Sequence, residues 1–338
     1  MSGWDSKSGK IKNSQLSEEQ IWRYFNVLFS DRSKKRTSYK FGLLKSILDN
    51  LFNVVSDEYF ISYHALFSRF AENYWNLVCK YSIRQMWSDG KSDYSKIETI
   101  IKSYVSRPDV PNNIDFESLD AQDRAEIIKK VSAECRKYVI GALNMDFEEN
   151  FYAFSLSGSG VILNPSIYGF LIKYKHEIEM MNYYAWAKFL DGVNNEELAV
   201  HLLTRLELAT PRRKDLSVYQ QILLTEFEQD TCFYCGKPLK KTTMHVDHFV
   251  PWSFIKDDKI WNFVLSCPKC NERKSNKLVS SDLYKRIEER NRRFVAKSEL
   301  SKSEFDQYED GILSRIRSYA WKSGYLEVEL ENEDRQSA

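Results

Sequence analysis

The stretch MHVDHFVPWSF, residues 244–254, places His245, Asp247 and His248 within four positions and closes with Pro251. It lies between two Cys-x-x-Cys pairs, Cys232/Cys235 and Cys267/Cys270. The other three of the five histidines, His64, His176 and His201, lie far away and fit ordinary helical positions. The cluster is therefore either a polar patch on a plain strand or a site that holds a metal and does chemistry.

The cysteines favour the second reading. Cys79 and Cys135 stand alone within apolar helical patterns, where a buried free thiol is expected. The other four form the pattern C-x2-C, 31 intervening residues, C-x2-C. In a reducing compartment such paired knuckles hold zinc rather than form disulfides. Four thiolates complete a tetrahedral shell with no open position, so the zinc expected here is structural. It would staple a segment too small to bury much core of its own.

Between the knuckles, HVDHFVP reads as a strand running into a loop, WNFVLSC as a returning strand, and NERKSNKL as the start of a helix. That order lets Asp247 and Asn271 meet across the strand–helix junction with His248 beside them. Residues 209 to 290 resemble the HNH endonucleases of ββα-metal fold, whose signature is Asp-His-x-x-Pro, a central Asn and a final Asn or His. Here these are Asp247, His248, Pro251, Asn262 and Asn271. The run VDHFVPWSFIKDD followed by NFVL is especially similar to the HNH domain of RNA-guided CRISPR nucleases, while the knuckles resemble the restriction, McrA-like branch. The resemblance does not extend to the first 200 residues.

The resemblance implies that Asp247 and Asn271 are hard oxygen ligands of one catalytic cation, Mg²⁺ or Mn²⁺, and that Asn262 fastens the loop carrying His248. Bare chemistry agrees: phosphodiester hydrolysis needs an activated water and a partner for the charge on the phosphoryl and leaving oxygens. An imidazole is suited to take the proton of that water, and a carboxylate with a carboxamide suits a hard divalent ion. Ordinary roles compete with each assignment: a core histidine for His248, a turn carboxylate for Asp247, a loop residue for Asn262. His245 shares a strand face with Asp247 and could touch substrate or metal, or serve only as support.

Charge distribution points to a polyanionic partner. The net charge is +1, yet Lys237 to Lys297 holds 15 Lys/Arg against 7 Asp/Glu. That asymmetry is a footprint for nucleic acid. Arg273, Lys274 and Lys277 are expected on a helix facing phosphates. The later basic run, Lys285, Arg286, Arg290, Arg292 and Arg293, fits either DNA contact or a solvated face. DNA is the expected substrate, and RNA would suit the same chemistry.

The chain of 338 residues has room for two domains. No run of about 18 apolar residues suggests a membrane span, and the polar start MSGWDSKSGKIKNSQ lacks a signal-peptide core, so a cytoplasmic location is expected. Residues 1–15 read as a disordered or loosely attached arm, and Ser17 to Leu208 as mainly helical. Phe41, Leu44, Leu48 and Leu51 mark one apolar face, and Tyr63, Phe67, Phe70, Tyr74 and Leu77 another. A helix is expected from Asp120, a hairpin at 151–163, and a long helix capped by Asn164 and Pro165. ATPRRKD at 209–215 is the expected boundary.

The expected fold is mainly α with a small α+β domain. A helical regulatory or targeting domain (1–208) precedes a zinc-stapled ββα-metal domain (209–297), then a C-terminal helix and a frayed acidic tail (298–338). The expected function is a metal-dependent HNH endonuclease, for instance a restriction or anti-phage defence effector. Its helical domain would control it, by a protein partner or by self-association, with the basic loop SDRSKKRTSYK (30–40) as one candidate surface. The alternative is a non-catalytic, zinc-stapled nucleic-acid-binding module, disfavoured because Asp247, His248 and Asn271 are all intact.

Overall fold

Polar residues at helix starts frame the N-terminal part of the computed structural model, which describes residues 6–54, 58–88, 90, 92–111, 113–194, 201–209, 216–240, 242–295, 305 and 308–330. The chain divides into two compact units, residues 1–212 and 213–338. In the first, strand β1 is Ser8–Gly9 and helix α1 is Glu18–Phe29. Ser17 and Gln20 form a reciprocal capping box at the start of α1. There follow α2 (Tyr39–Asp49), β2 (Phe60–Ser62), α3 (Tyr63–Tyr81), α4 (Lys96–Val105), α5 (Ala121–Tyr138) and α6 (Ile140–Asp146). The hairpin expected at 151–163 is β3 (Tyr152–Ser155) with β4 (Gly160–Leu163), and α7 (Pro165–Lys173), α8 (Lys175–Val193) and α9 (Leu202–Ala209) complete the unit.

Asn164 caps α7 with Pro165 in its first turn, but the expected long helix breaks at Tyr174 into α7 and α8. The strands make one antiparallel sheet of order β1-β3-β4-β2. Asp120 caps α5, which buries Ile127, Val131 and Cys135.

The aromatic stripe of α3 is core: Phe67, Phe70 and Tyr74 are fully buried, with Phe70 and Tyr74 stacked at 4.3 Å. A Cβ on Gly42 would stand 2.4 Å from the Tyr74 ring, so glycine permits the close approach of α2 to α3. The one-sided face expected for α2 is an underestimate, because every residue of that helix is buried. Its charges survive burial by pairing: Lys45 meets Asp49 and Glu179, the latter at 3.2 Å.

The arm expected to be disordered is not loose over residues 6–15. Ser8 and Gly9 pair with Ser155 and Phe154. Asn13 N donates to Asn150 Oδ1 at 2.8 Å, and Asn164 Nδ2 to Asn13 O at 2.8 Å. These bonds use backbone groups that every residue carries, so a polar composition does not reveal them.

The second unit begins with α10 (Ser217–Thr225) and the first knuckle. Then come β5 (His245–His248), α11 (Trp252–Ile255), a 3₁₀ turn at Ile260–Asn262, β6 (Phe263–Ser266) and α12 (Pro268–Lys274). After β7 (Leu278–Val279), α13 (Ser281–Val295) and α14 (Ile312–Lys322) pack together, and β8 (Glu327–Val328) lies parallel to β7. The acidic tail thus starts in a strand, with Leu330 buried, and does not fray along its described part. No helix among the described residues is long and apolar enough to cross a membrane.

Candidate active site and cysteine cluster

Strands β5 and β6 pair antiparallel, with His245 opposite Ser266, Asp247 opposite Val264 and His248 opposite Phe263. Helix α12 packs against β5. The strand, loop, strand, helix order expected from the sequence is therefore present, and the cysteines tie its roots together.

Cys232, Cys235, Cys267 and Cys270 bring their sulfurs within 4.8 Å of one another. Cys235 Sγ and Cys267 Sγ are 3.9 Å apart, too far for a disulfide, where sulfurs lie about 2.05 Å apart. A tetrahedron of Zn–S bonds of about 2.3 Å has edges of about 3.8 Å, so the separation suits zinc. Local sequence builds both halves. Gly236 takes φ +72° to close the first knuckle and donates to Cys232 O at 2.8 Å. Cys267 is the N-cap of α12, Pro268 its first residue, and Cys270 sits one turn on. Phe233 N bonds Leu265 O at 2.9 Å, locking the first knuckle to β6. Burial pushes the Cys232 and Cys270 thiols up, against ionisation. At Cys267 burial is outweighed by hydrogen bonds from Cys270 and the neighbouring thiols, which pull the thiol down. A bound divalent cation would favour the thiolate at each ligand. The cluster is consistent with structural zinc.

Asp247 and His248 are both buried. The Asp247 carboxylate accepts a short hydrogen bond from Tyr234 and meets Lys274 Nζ at 3.1 Å. Burial, then the Asp247 charge, pushes the Tyr234 hydroxyl well above its ordinary range, so it stays protonated as the donor. His248 Nε2 lies 2.8 Å from Asp258 Oδ1, and its ring meets Phe263 edge-on at 4.7 Å. A carboxylate accepts, so this contact places the imidazole proton on Nε2 and leaves Nδ1 basic.

Asn262 is fully buried, and its carboxamide clamps the loop after β5. Val250 N donates to Asn262 Oδ1 at 2.8 Å, and Asn262 Nδ2 donates to Val250 O at 3.0 Å. Asn271 is half-buried on α12, three residues before Lys274 and therefore on the same helix face. It makes no hydrogen bond to Asp247, and its carboxamide has no partner among the described residues. A carboxylate with spare lone pairs and an unengaged carboxamide fit the donor set of a hard divalent ion that keeps several waters.

The expected phosphate-facing cations are corrected at one position. Lys274 is fully buried, bonded to His248 O at 2.7 Å and paired with Asp247, so it does not face solvent. Arg273 is exposed, reaching Glu329 O at 3.3 Å, and Lys277 is half-buried, bonding Arg273 O at 3.2 Å. His245 is exposed at the start of β5. In the later basic run, Arg290 is structural: it donates to Phe263 O at 2.7 Å and lies over Phe227. Exposed Lys285, Arg292 and Arg293 pair with Asp282, Asp310 and Glu289. Tyr234 and Asp258 escaped notice in the sequence. Nothing but a place inside the first knuckle marks Tyr234, and Asp258 reads as one loop carboxylate of two.

A hairpin, an adjoining helix and a four-sulfur cluster around a His–Asp site define a ββα module stapled by four cysteines. Residues 232–280 match the model of the HNH endonuclease family, and this segment is an HNH endonuclease domain carrying a four-cysteine cluster. The match leaves the N-terminal region unassigned. No curated protein and no solved structure matches the chain. The family suggests phosphodiester cleavage and implies a nucleic-acid substrate.

Proposed function

We propose that this protein is a metal-dependent endonuclease that hydrolyses phosphodiester bonds in DNA, with His248 as general base. The observation that carries the reading is that His248, inside the segment matching the HNH family, is held by Asp258 with one ring nitrogen left basic. Nδ1 of His248 takes a proton from the attacking water as its oxygen bonds to phosphorus, and the ester bond to the leaving oxygen breaks. Asp258 holds the Nε2–H and favours the imidazolium that forms. Asn262 keeps the loop from swinging, because both polar groups of Val250 are tied to its carboxamide. A divalent cation, Mg²⁺ or Mn²⁺, held through Asp247 and Asn271, would neutralise charge on the phosphoryl and leaving oxygens.

Exposed Arg273 on α12 is proposed to meet a phosphate. The N-terminal unit is proposed to control or target the nuclease. The test is supercoiled plasmid incubated with the full chain and Mg²⁺ or Mn²⁺, with a chelated control and the His248→Ala variant. Cation-dependent nicking that the variant loses is expected. DNA binding without cleavage by the zinc-loaded parent would leave only the non-catalytic module.

A further inference from the structure

The N-terminal unit contains a cavity of about 300 Å³ that the nuclease chemistry does not use. It opens where the loop before α2 passes α4 and the junction of α5 and α6. Met86, Val139 and Ala142 give it apolar walls, with Tyr138 beside them. Exposed Lys34 and Lys96 and the guanidinium of Arg36 stand around it.

The loop that carries the rim is fastened from behind. Ser33 Oγ donates to Asp146 Oδ2 at 2.6 Å, and Lys40 Nζ meets the same carboxylate at 2.8 Å. Lys35 Nζ donates to the carbonyls of Ser30 and Ser33 at 2.8 and 3.0 Å, and Thr37 bridges to Met86. Lys40 and Lys35 are thus spent on structure. Lys34 and Lys96 have no carboxylate partner among the described residues. Their charge is displayed on ordered backbone, which lowers the cost of organising a ligand site.

A third feature narrows the chemistry. Glu134 lines the same cavity, half-buried, and among the described residues its carboxylate makes no hydrogen bond or ion pair. A bare inorganic anion would leave that acceptor unused and repel it. A ligand with an anionic group, an apolar flat body and an N–H edge would satisfy rim, walls and acceptor together. The volume lies at the small end of ligand pockets, about 300 to 1,000 Å³, and suits one nucleotide better than two.

We propose that this cavity binds a purine nucleoside monophosphate, with its phosphate at Lys34 and Lys96, its base against Met86, Val139 and Ala142, and its N–H edge on Glu134. The site does not depend on the nuclease reading. Isothermal titration of the full chain without added divalent cation tests it, using AMP, GMP, adenosine, orthophosphate and a short single-stranded oligodeoxynucleotide. AMP or GMP should bind saturably, with adenosine and orthophosphate each at least about tenfold weaker. The pair Lys34→Gln and Lys96→Gln should raise the Kd about tenfold or more, and Glu134→Gln should weaken the purine nucleotide by about tenfold but not orthophosphate. Zinc content and melting should be unchanged, since both lysines are exposed. If the double variant does not fold, a saturable rise in the parent's melting temperature with AMP or GMP is the second measurement. No saturable binding of either nucleotide at millimolar concentration overturns the proposal. So does an unaltered Kd in the double variant, or binding of the oligonucleotide with none of the mononucleotides.

Discussion

Replacing Lys274 by Met separates the role assigned by charge from the role assigned by position. The Lys274 ammonium is fully buried, donates to His248 O at 2.7 Å and stands 3.1 Å from the Asp247 carboxylate. Met has nearly the same length, so little of the effect comes from a cavity. Removing the ammonium leaves the Asp247 charge facing Tyr234 without its cation, and deprives the His248 carbonyl of a charged donor. Breaking one side of a buried pair costs about 3–5 kcal/mol. Against a typical stability of about 5–15 kcal/mol, that loss brings the C-terminal unit near its unfolding threshold.

Because the chain has two units, one global unfolding curve would mix their transitions. Zinc release to a chromophoric chelator during a urea titration reports the C-terminal unit alone. The Lys274→Met midpoint should fall markedly. Under conditions where the variant still holds zinc, the salt dependence of DNA affinity should match the parent, because a buried lysine displaces no counterions. Arg273→Ala should do the reverse, keeping the zinc-release midpoint and flattening the log–log salt slope by about 0.9. A Lys274→Met protein as stable as the parent, with the flatter slope, would refute the placement.

Cys232→Ser or Cys267→Ser should release the metal and unfold the C-terminal unit. Elemental analysis of the parent should find about one zinc per chain after dialysis; a zinc-free parent with full stability contradicts this. His248→Ala should lower turnover by about 10² to 10⁴ with zinc content unchanged; melting should fall, because Asp258 loses its buried partner and Phe263 its ring contact. Asp258→Asn should lower kcat by about 10- to 100-fold at constant KM, since it acts through the imidazole; a pure KM effect would count against that role. Asn262→Ala leaves the buried N–H and carbonyl of Val250 unpaired, which should cost about 3 kcal/mol in the urea titration of zinc release.

The cysteine pattern, the Asp-His-x-x-Pro run and the loop-fastening Asn262 were legible in the sequence because such motifs depend on residue type and short spacing. Each C-x2-C pair offers two sulfurs to one ion by local geometry alone, although the fold brings the two pairs together across 31 intervening residues. The same holds for helix caps such as Asn164 with Pro165, whose hydrogen bond spans two residues, and for the core stripe of α3, which repeats at helical period. These are local properties, written in neighbouring letters.

What only the tertiary structure decided is where each charge ended up. Lys274 reads as a surface cation in NERKSNKL, yet it is buried because Asp247, 27 residues away, supplies its counter-charge. Lys45 in α2 is buried for the same reason, with Glu179 arriving from α8. Asp258 and Tyr234 became part of the site through contacts that span 10 and 13 residues. The strand at Ser8–Gly9 exists because its backbone meets β3, and no side-chain pattern announces that. A charged side chain is expected at the surface because desolvation is costly, and only a partner brought near by folding reverses that expectation.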